Sequence, residues 1–273
     1  MGRRKKISGI FLEIGALIVS LLYIAPAWMV LVNSFKEKKE ANQFGLGLPG
    51  TLHFENYLKV FQEGNIARSF LNGMLIAGVS VFAVILIAAL AAFYIARTKN
   101  KLGNAVYMYF ISGMLIPVAL IPTYIILLMF KLNNTYLGLI LMFITYCIPV
   151  SIFLYTGFMK SIPREIDEAS IMDGCNGAQL FYRIIFPLLK PVTVTVLIIN
   201  FMGVWNDVNT QLFFASGDKW TMPMTIYRFY GMYLSDWNLV FANVVVTVLP
   251  VLIVYMFAQK QMIEGMTAGA VKG

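Results

Sequence analysis

The chain reads as an all-α integral membrane protein with six transmembrane helices, and three observations predict this. Hydrophobic residues make up 59% of the 273 residues and charged ones 12%, with a mean hydropathy of +0.76. A soluble domain carries roughly a quarter charged residues, so this chain has too little polar surface to face water all round. Six apolar segments are each long enough for the ~20 residues that cross a ~30 Å hydrocarbon core. The basic residues stand in short clusters between those segments, as at the cytoplasmic flanks of membrane helices, which argues against a nucleic-acid partner.

The segments fall at 10–32, 70–96, 105–130, 136–158, 192–214 and 239–258. They are almost uninterruptedly apolar, whereas a membrane strand would alternate over about ten residues. Arg3, Arg4, Lys5 and Lys6 precede the first segment, and Arg97, Lys99 and Lys101 follow the second. Lys160, Arg164 and Arg183 lie after the fourth, and Lys260 and Lys272 in a tail, 259–273. The remaining loops hold Lys36, Lys38, Lys39, Lys59, Arg68, Lys131, Lys219 and Arg228, mostly in one long loop, 33–69. This asymmetry predicts a multi-pass protein of a cytoplasmic membrane with both termini inside. A cleaved signal peptide is the competing reading of the start, with Ala25-Pro26-Ala27 as its cleavage site. The apolar run continues through Trp28 to Val32, which favours a retained helix.

Prolines punctuate the spans: Pro117 and Pro122 in the third, Pro149 in the fourth, Pro250 in the sixth. Each removes a backbone donor and bends its helix. Cys147 and Cys175 make no disulfide framework, and one histidine, His53, excludes a His/Cys metal site. No G-x-x-x-x-G-K-[ST] occurs, so the chain has no phosphate-binding loop, and no catalytic constellation is visible.

Residues 162–183 form a polar insert between apolar segments. Pro163 suits a first helical position, and Glu165, Asp167 and Glu168 crowd the first turns, where the helix dipole favours negative charge. Ile162, Ile166 and Ala169 share an apolar face; Glu165, Glu168 and Met172 fall beside it. Gly174 supplies a left-handed turn that ends this helix. Asn176 and Gln179 have the spacing of a capping box that starts a second one. Pro187 bends that second helix as it enters the fifth span. An interfacial helix would carry Lys/Arg on its polar face; three acids within four residues point instead to a docking element.

Glu168-Ala169-Ser170, Asp173-Gly174 and Phe186-Pro187 resemble the EAA motif of ABC importer permeases, with Ser170 in place of the second alanine. The resemblance extends along the chain: the loop 34–57, Trp205-Asn206-Asp207 and the ending T-A-G-A-V-K-G are similar to the six-helix subunit of maltose-type carbohydrate permeases. It implies a type I importer permease fold, a single permease domain over 1–273, and an insert that serves as the coupling helix. By that resemblance Glu165, Glu168, Ala169, Met172, Asp173 and Gly174 dock on an ABC ATPase dimer, with Glu168 facing a basic residue. Thr267, Ala268 and Gly269 also reach the ATPase, although the tail 267–273 alone reads as disorder. The implied partners are a second homologous permease, the ATPase, an extracytoplasmic sugar-binding protein and membrane lipid. ATP and Mg belong to the ATPase, so this chain is no enzyme and holds no cofactor.

Two acids fall inside spans. Glu13 sits near the inner edge, where it is tolerated. Asp207 lies deep in the fifth span, at a cost of up to roughly 2.5–3.5 kcal/mol near a helix centre. With Trp205, Asn206, Asn209 and Gln211 it forms a patch that must face protein or water. Interhelical hydrogen bonding explains it, and so does a substrate path, to which Tyr146 and less specifically Tyr124 and Tyr155 contribute. The aromatics Trp220, Tyr227, Phe229, Tyr230, Tyr233 and Trp237 read as an outer interface belt. An ion-coupled secondary carrier is the alternative, but it calls for more mid-membrane acids and an inverted repeat.

Overall fold

The computed structural model describes the backbone of residues 2–270 other than Lys99, Val118 and 232–234; the side chains of residues 2–12, 257, 258 and 260–270 also lie outside the described set. In chain order the helices are α1 (Gly2–Asn33), α2 (Glu55–Glu63), α3 (Ile66–Arg97), α4 (Lys101–Leu115), α5 (Leu120–Met129) and α6 (Tyr136–Met159). Then follow α7 (Glu165–Met172), α8 (Gly177–Leu188), α9 (Lys190–Asn206), α10 (Asn209–Phe214) and α11 (Trp237–Ala270). Lys38–Ala41 makes a single extra turn. Among the described residues no strand forms, and one isolated bridge joins Tyr230 to Ser235.

Among the described residues four helices are long and apolar enough to cross a membrane: Glu13–Asn33 within α1, α3, α6, and Trp237–Met256 within α11. Two bent pairs, α4 with α5 and α8 with α9, bring the spans to six when each pair counts as one. The apolar runs predict one helix each at 105–130, bent by its prolines, and at 192–214, and here the structure differs. The third span breaks between Leu115 and Leu120, around Pro117, whose missing N–H cannot continue the ladder. Pro122 sits in the first turn of α5, where no donor is needed. The fifth span stops at Asn206, and α10 is a separate helix. Pro149 and Pro250 stay inside continuous helices.

The chain divides into two compact units. The first, Met1–Ala67 with Thr225–Leu249, is built on polar ties. Buried Asn56 donates to the carbonyls of Ser34 and Lys36, both at 2.9 Å, and accepts from Asn238 at 2.8 Å. Lys38 pairs with Asp236. A hydrogen bond from His53 holds the Glu55 carboxyl below its usual range. Of the aromatic segment, Phe229 is buried and Trp237 packs on Phe44, Tyr230 and Phe241, while Tyr227 and Tyr230 are exposed. Tyr233 lies outside the described residues.

The second unit, Arg68–Met224 with Pro250–Gly273, packs around α3. Its buried stripe, Ala77, Val81, Val84, Ala88, Ala92 and Ile95, follows helical spacing. The alanines let neighbouring backbones approach, which is how helices associate without a hydrophobic drive in lipid. Tyr155 of α6 donates to Thr193 of α9 at 2.9 Å, and buried Asn200 donates to Ser151 at 2.9 Å. Such intramembrane bonds are each worth about 0.6–1.7 kcal/mol.

Gly73 and Gly78 of α3 separate packing from propensity. A Cβ on Gly73 would lie 3.0 Å from the buried Trp205 ring, whereas one on Gly78 meets nothing within 4 Å. Gly73→Ala is therefore expected to cost about 1–3 kcal/mol through overpacking, read as a lower unfolding temperature in detergent. Gly78→Ala should leave that temperature unchanged or slightly raised.

Candidate functional site

Two regions of the second unit carry the functional candidates. The first is the polar insert. After α6 ends, the chain turns at Ser161 and Pro163, and the Arg164 carbonyl accepts from the amides of Asp167 and Glu168 at 2.9 and 3.1 Å. Glu165, Asp167 and Glu168 occupy the first turn of α7, as the dipole favours.

The helix faces inward through Ile162, Ile166 and Ser170, at spacings of four. Ala169, expected on that face, points outward instead. Ser170 takes the inner position because its hydroxyl bonds back to the Ile166 carbonyl at 2.7 Å, leaving no unpaired group. The outward side gathers Glu165, Glu168, Ala169, Ile171, Met172, Asp173 and Gly174, all exposed, with Met172 at 86%. Six of these are the sequence-derived docking residues, and Ile171 shares their exposure.

Asp167 does not share this outward face. Its carboxylate meets the Arg97 guanidinium at the end of α3, Nη2 to Oδ1 at 3.0 Å and Nε to Oδ2 at 2.5 Å. The side chains are 13% and 14% exposed. Arg97 also donates to the Ile162 carbonyl at 3.2 Å, and Arg164 to the Ala96 carbonyl at 3.1 Å.

The corner beyond α7 follows from two local motifs. Gly174 has φ +86°, and the bonds Gly174 N to Ile171 O and Cys175 N to Ser170 O, both 3.0 Å, close a Schellman turn. Asn176 and Gln179 then exchange side-chain and backbone bonds at 2.9 Å each, the capping box expected from their spacing. Within α8, residues Leu180–Ile185 widen into a π-type turn before Pro187. The axis swings by 74° into α9 at Leu189.

The second region lies at the end of α9. Trp205, one of the path candidates, is 1% exposed and packs on Gly73, Phe70 and Phe201. Asn206 and Asn209 are exposed, and Asp207 is half-buried. Asp207 accepts from Thr210 twice, from its amide at 2.7 Å and its hydroxyl at 2.8 Å. That pairing caps the helix break, and an Asp three residues ahead of the bonded amide is its signal in the sequence. Gln211 is fully buried, its side-chain oxygen accepting from Thr221. Tyr146 lines a cavity of about 640 Å³ between α4 and α6, with Tyr109, Ser112, Thr145 and Pro149 among its walls.

Thr267, Ala268 and Gly269 continue α11, which runs to Ala270, so the disorder read from 267–270 is replaced by helix. Extending an existing helix needs no new nucleus. The side chains of these three residues and all of 271–273 lie outside the described residues. Among the described residues no His/Cys/Asp/Glu group suits a metal ion.

The family model described as "Binding-protein-dependent transport system inner membrane component" matches residues 84–266. The chain belongs to this family. It is a permease subunit of an importer, not an enzyme, and a multi-pass component of the inner membrane. The permease is 34% identical over 258 residues to the probable starch degradation products transport system permease protein AmyC of Thermoanaerobacterium thermosulfurigenes, covering 94% of each chain. It is 34% identical over 278 residues to the multiple sugar-binding transport system permease protein MsmG of Streptococcus mutans, covering 100% of each. Its fold matches a chain of a bacterial ABC transporter involved in import of the acidic polysaccharide alginate, with TM-score 0.84 and 21% identity over 94% of this permease and 97% of that chain.

The positive φ at Gly174 yields a local prediction. Gly174→Ala places a Cβ in the left-handed region at a cost of about 1–2 kcal/mol. Hydrogen exchange should then show about 5–30-fold weaker protection of the 174 and 175 amides.

Proposed function

We propose that the permease moves a sugar or oligosaccharide inward by alternating access, driven by a separate ABC ATPase that docks on the exposed face of α7. The observation that carries this reading is the division of α7 into two faces. One face is fixed to the rest of the unit through Ile162, Ser170 and the Asp167–Arg97 pair. The other leaves Glu165, Glu168, Ala169, Ile171 and Met172 exposed. A solvated apolar patch ringed by acids at a membrane protein's edge suits a protein cleft with a basic rim. A rim ion pair is worth only about 0–1 kcal/mol, so the apolar fit of Ala169, Ile171 and Met172 holds the joint while Glu165, Glu168 and Asp173 orient it. Gly174 sets the corner, and Thr267, Ala268 and Gly269 extend the contact.

ATP and Mg act on the ATPase, whose closure displaces α7. A second homologous permease completes the path, and an extracytoplasmic sugar-binding protein delivers substrate. The positive clusters place both termini in the cytoplasm of a bacterial or archaeal cell. A carbohydrate cargo is supported by the names of the relatives, which concern starch products and multiple sugars. It also suits the mix of exposed amides at Asn206 and Asn209 with the Tyr146 hydroxyl. Asp207 and Trp205 shape that region from behind, one by capping the break and the other by packing. The family membership favours this reading over an ion-coupled carrier.

The double substitution Glu168→Lys with Gly174→Pro should abolish co-purification of the ATPase from detergent extracts while membrane levels of the permease hold. Normal co-purification would contradict the docking role. Asn206→Ala should raise the KM for oligosaccharide uptake about 2–10-fold, the worth of one hydrogen bond, with ATPase association intact. An unchanged KM would remove Asn206 from the path.

A further inference from the structure

The four polar contacts between the insert and α3 have counterparts at the far end of the same helix. At the inner end, Arg97 holds Asp167 through two nitrogens and the Ile162 carbonyl through a third, while Arg164 reaches back to Ala96. At the outer end, Asn72 donates to the carbonyls of Asp218 at 2.8 Å and Trp220 at 3.0 Å, and Tyr136 donates to Asn72 at 2.8 Å. Arg68 pairs with Asp218 at 3.3 Å. Segment 216–220 thus hangs from the first turns of α3, and the insert hangs from its last.

Between these ends α3 runs 32 residues without proline, about 48 Å at 1.5 Å per residue. That exceeds the ~30 Å hydrocarbon core. The other routes out of the insert are softer. The chain leaves through the π-type turn and the 74° bend at Leu189. It enters from α6, which contains Pro149, beside the broken α4–α5 pair. Sharp bends and prolines interrupt the hydrogen-bond ladder and absorb displacement; a continuous helix does not.

We infer that α3 is the strut that carries displacement of α7 across the membrane to segment 216–220, with Arg97 and Asp167 as positioning residues at its inner end and Asn72 at its outer end. This rests on the docking reading above. Asp167 is the acid of α7 that is not offered to a partner: it fixes the docking helix to the strut. Only one end of the joint is thereby exposed to the ATPase, so docking and transmission are separable by substitution.

The test uses the whole transporter in proteoliposomes with its ATPase and binding protein, measuring ATPase co-purification, ATP hydrolysis and sugar uptake. Asp167→Asn should leave co-purification and hydrolysis in place while uptake per ATP falls about tenfold, within the range of coupling substitutions. The exchange Arg97→Asp with Asp167→Arg should recover uptake per ATP to within about threefold of the parent, since the pair acts as a unit. Asn72→Leu should uncouple in the same way from the opposite side. Wild-type uptake per ATP in Asp167→Asn, or no recovery in the exchange, overturns the strut. Loss of the ATPase from Asp167→Asn also overturns it, because Asp167 would then belong to the docking surface. A variant absent from the membrane is replaced by Arg97→Lys, which keeps the charge and loses the second nitrogen contact; full uptake per ATP there counts equally against the inference. The docking reading fails separately, if Glu168→Lys with Gly174→Pro retains the ATPase.

Discussion

Hydrocarbon offers an unpaired peptide group no replacement partner, and this requirement decides where the helices of the permease can break. At two of the interruptions something local takes up the loss. Asp207 supplies both carboxylate oxygens to Thr210 where α9 gives way to α10. Leu189 donates to the carbonyls of Ile185 and Phe186 at the turn into α9. Bent helices are therefore built features of the spans, held by named side chains.

Backbone pairing also organises the insert. Two motifs within ten residues, the Schellman turn at Gly174 and the capping box at Asn176, satisfy the ends of two helices in immediate succession. The corner needs no neighbour to hold its backbone. Orientation is another matter: it comes from Arg97, 70 residues away, which ties Asp167 down and rotates Ala169 outward.

This division explains what could be read from the sequence. The insert, the corner glycine, the capping box and the spans other than the third and fifth are local patterns of hydropathy or spacing, and they stand where those patterns place them. The Asp167–Arg97 pair was invisible because no periodicity links residues on different elements. The break at Asp207 was hidden by apolar residues on both sides, although Asp207 and Thr210 have the spacing of a cap. Ser170 and Ala169 exchanged faces because a short helix with three acids has little amphipathic contrast, so a distant charge set its rotation. Trp205 looked like a path residue from its polar neighbours, yet its ring fills the space above Gly73.

The cap at Asp207 also bears on energetics. A carrier powered by an ion gradient needs a mid-membrane acid that can let go of one proton or cation and take another. Here the sole acid deep in a span already has its oxygens engaged by an adjacent amide and hydroxyl, and releasing them would unseat the start of the next helix. An acid engaged in this way belongs to the architecture of the break, where it holds the first turn of the helix that follows.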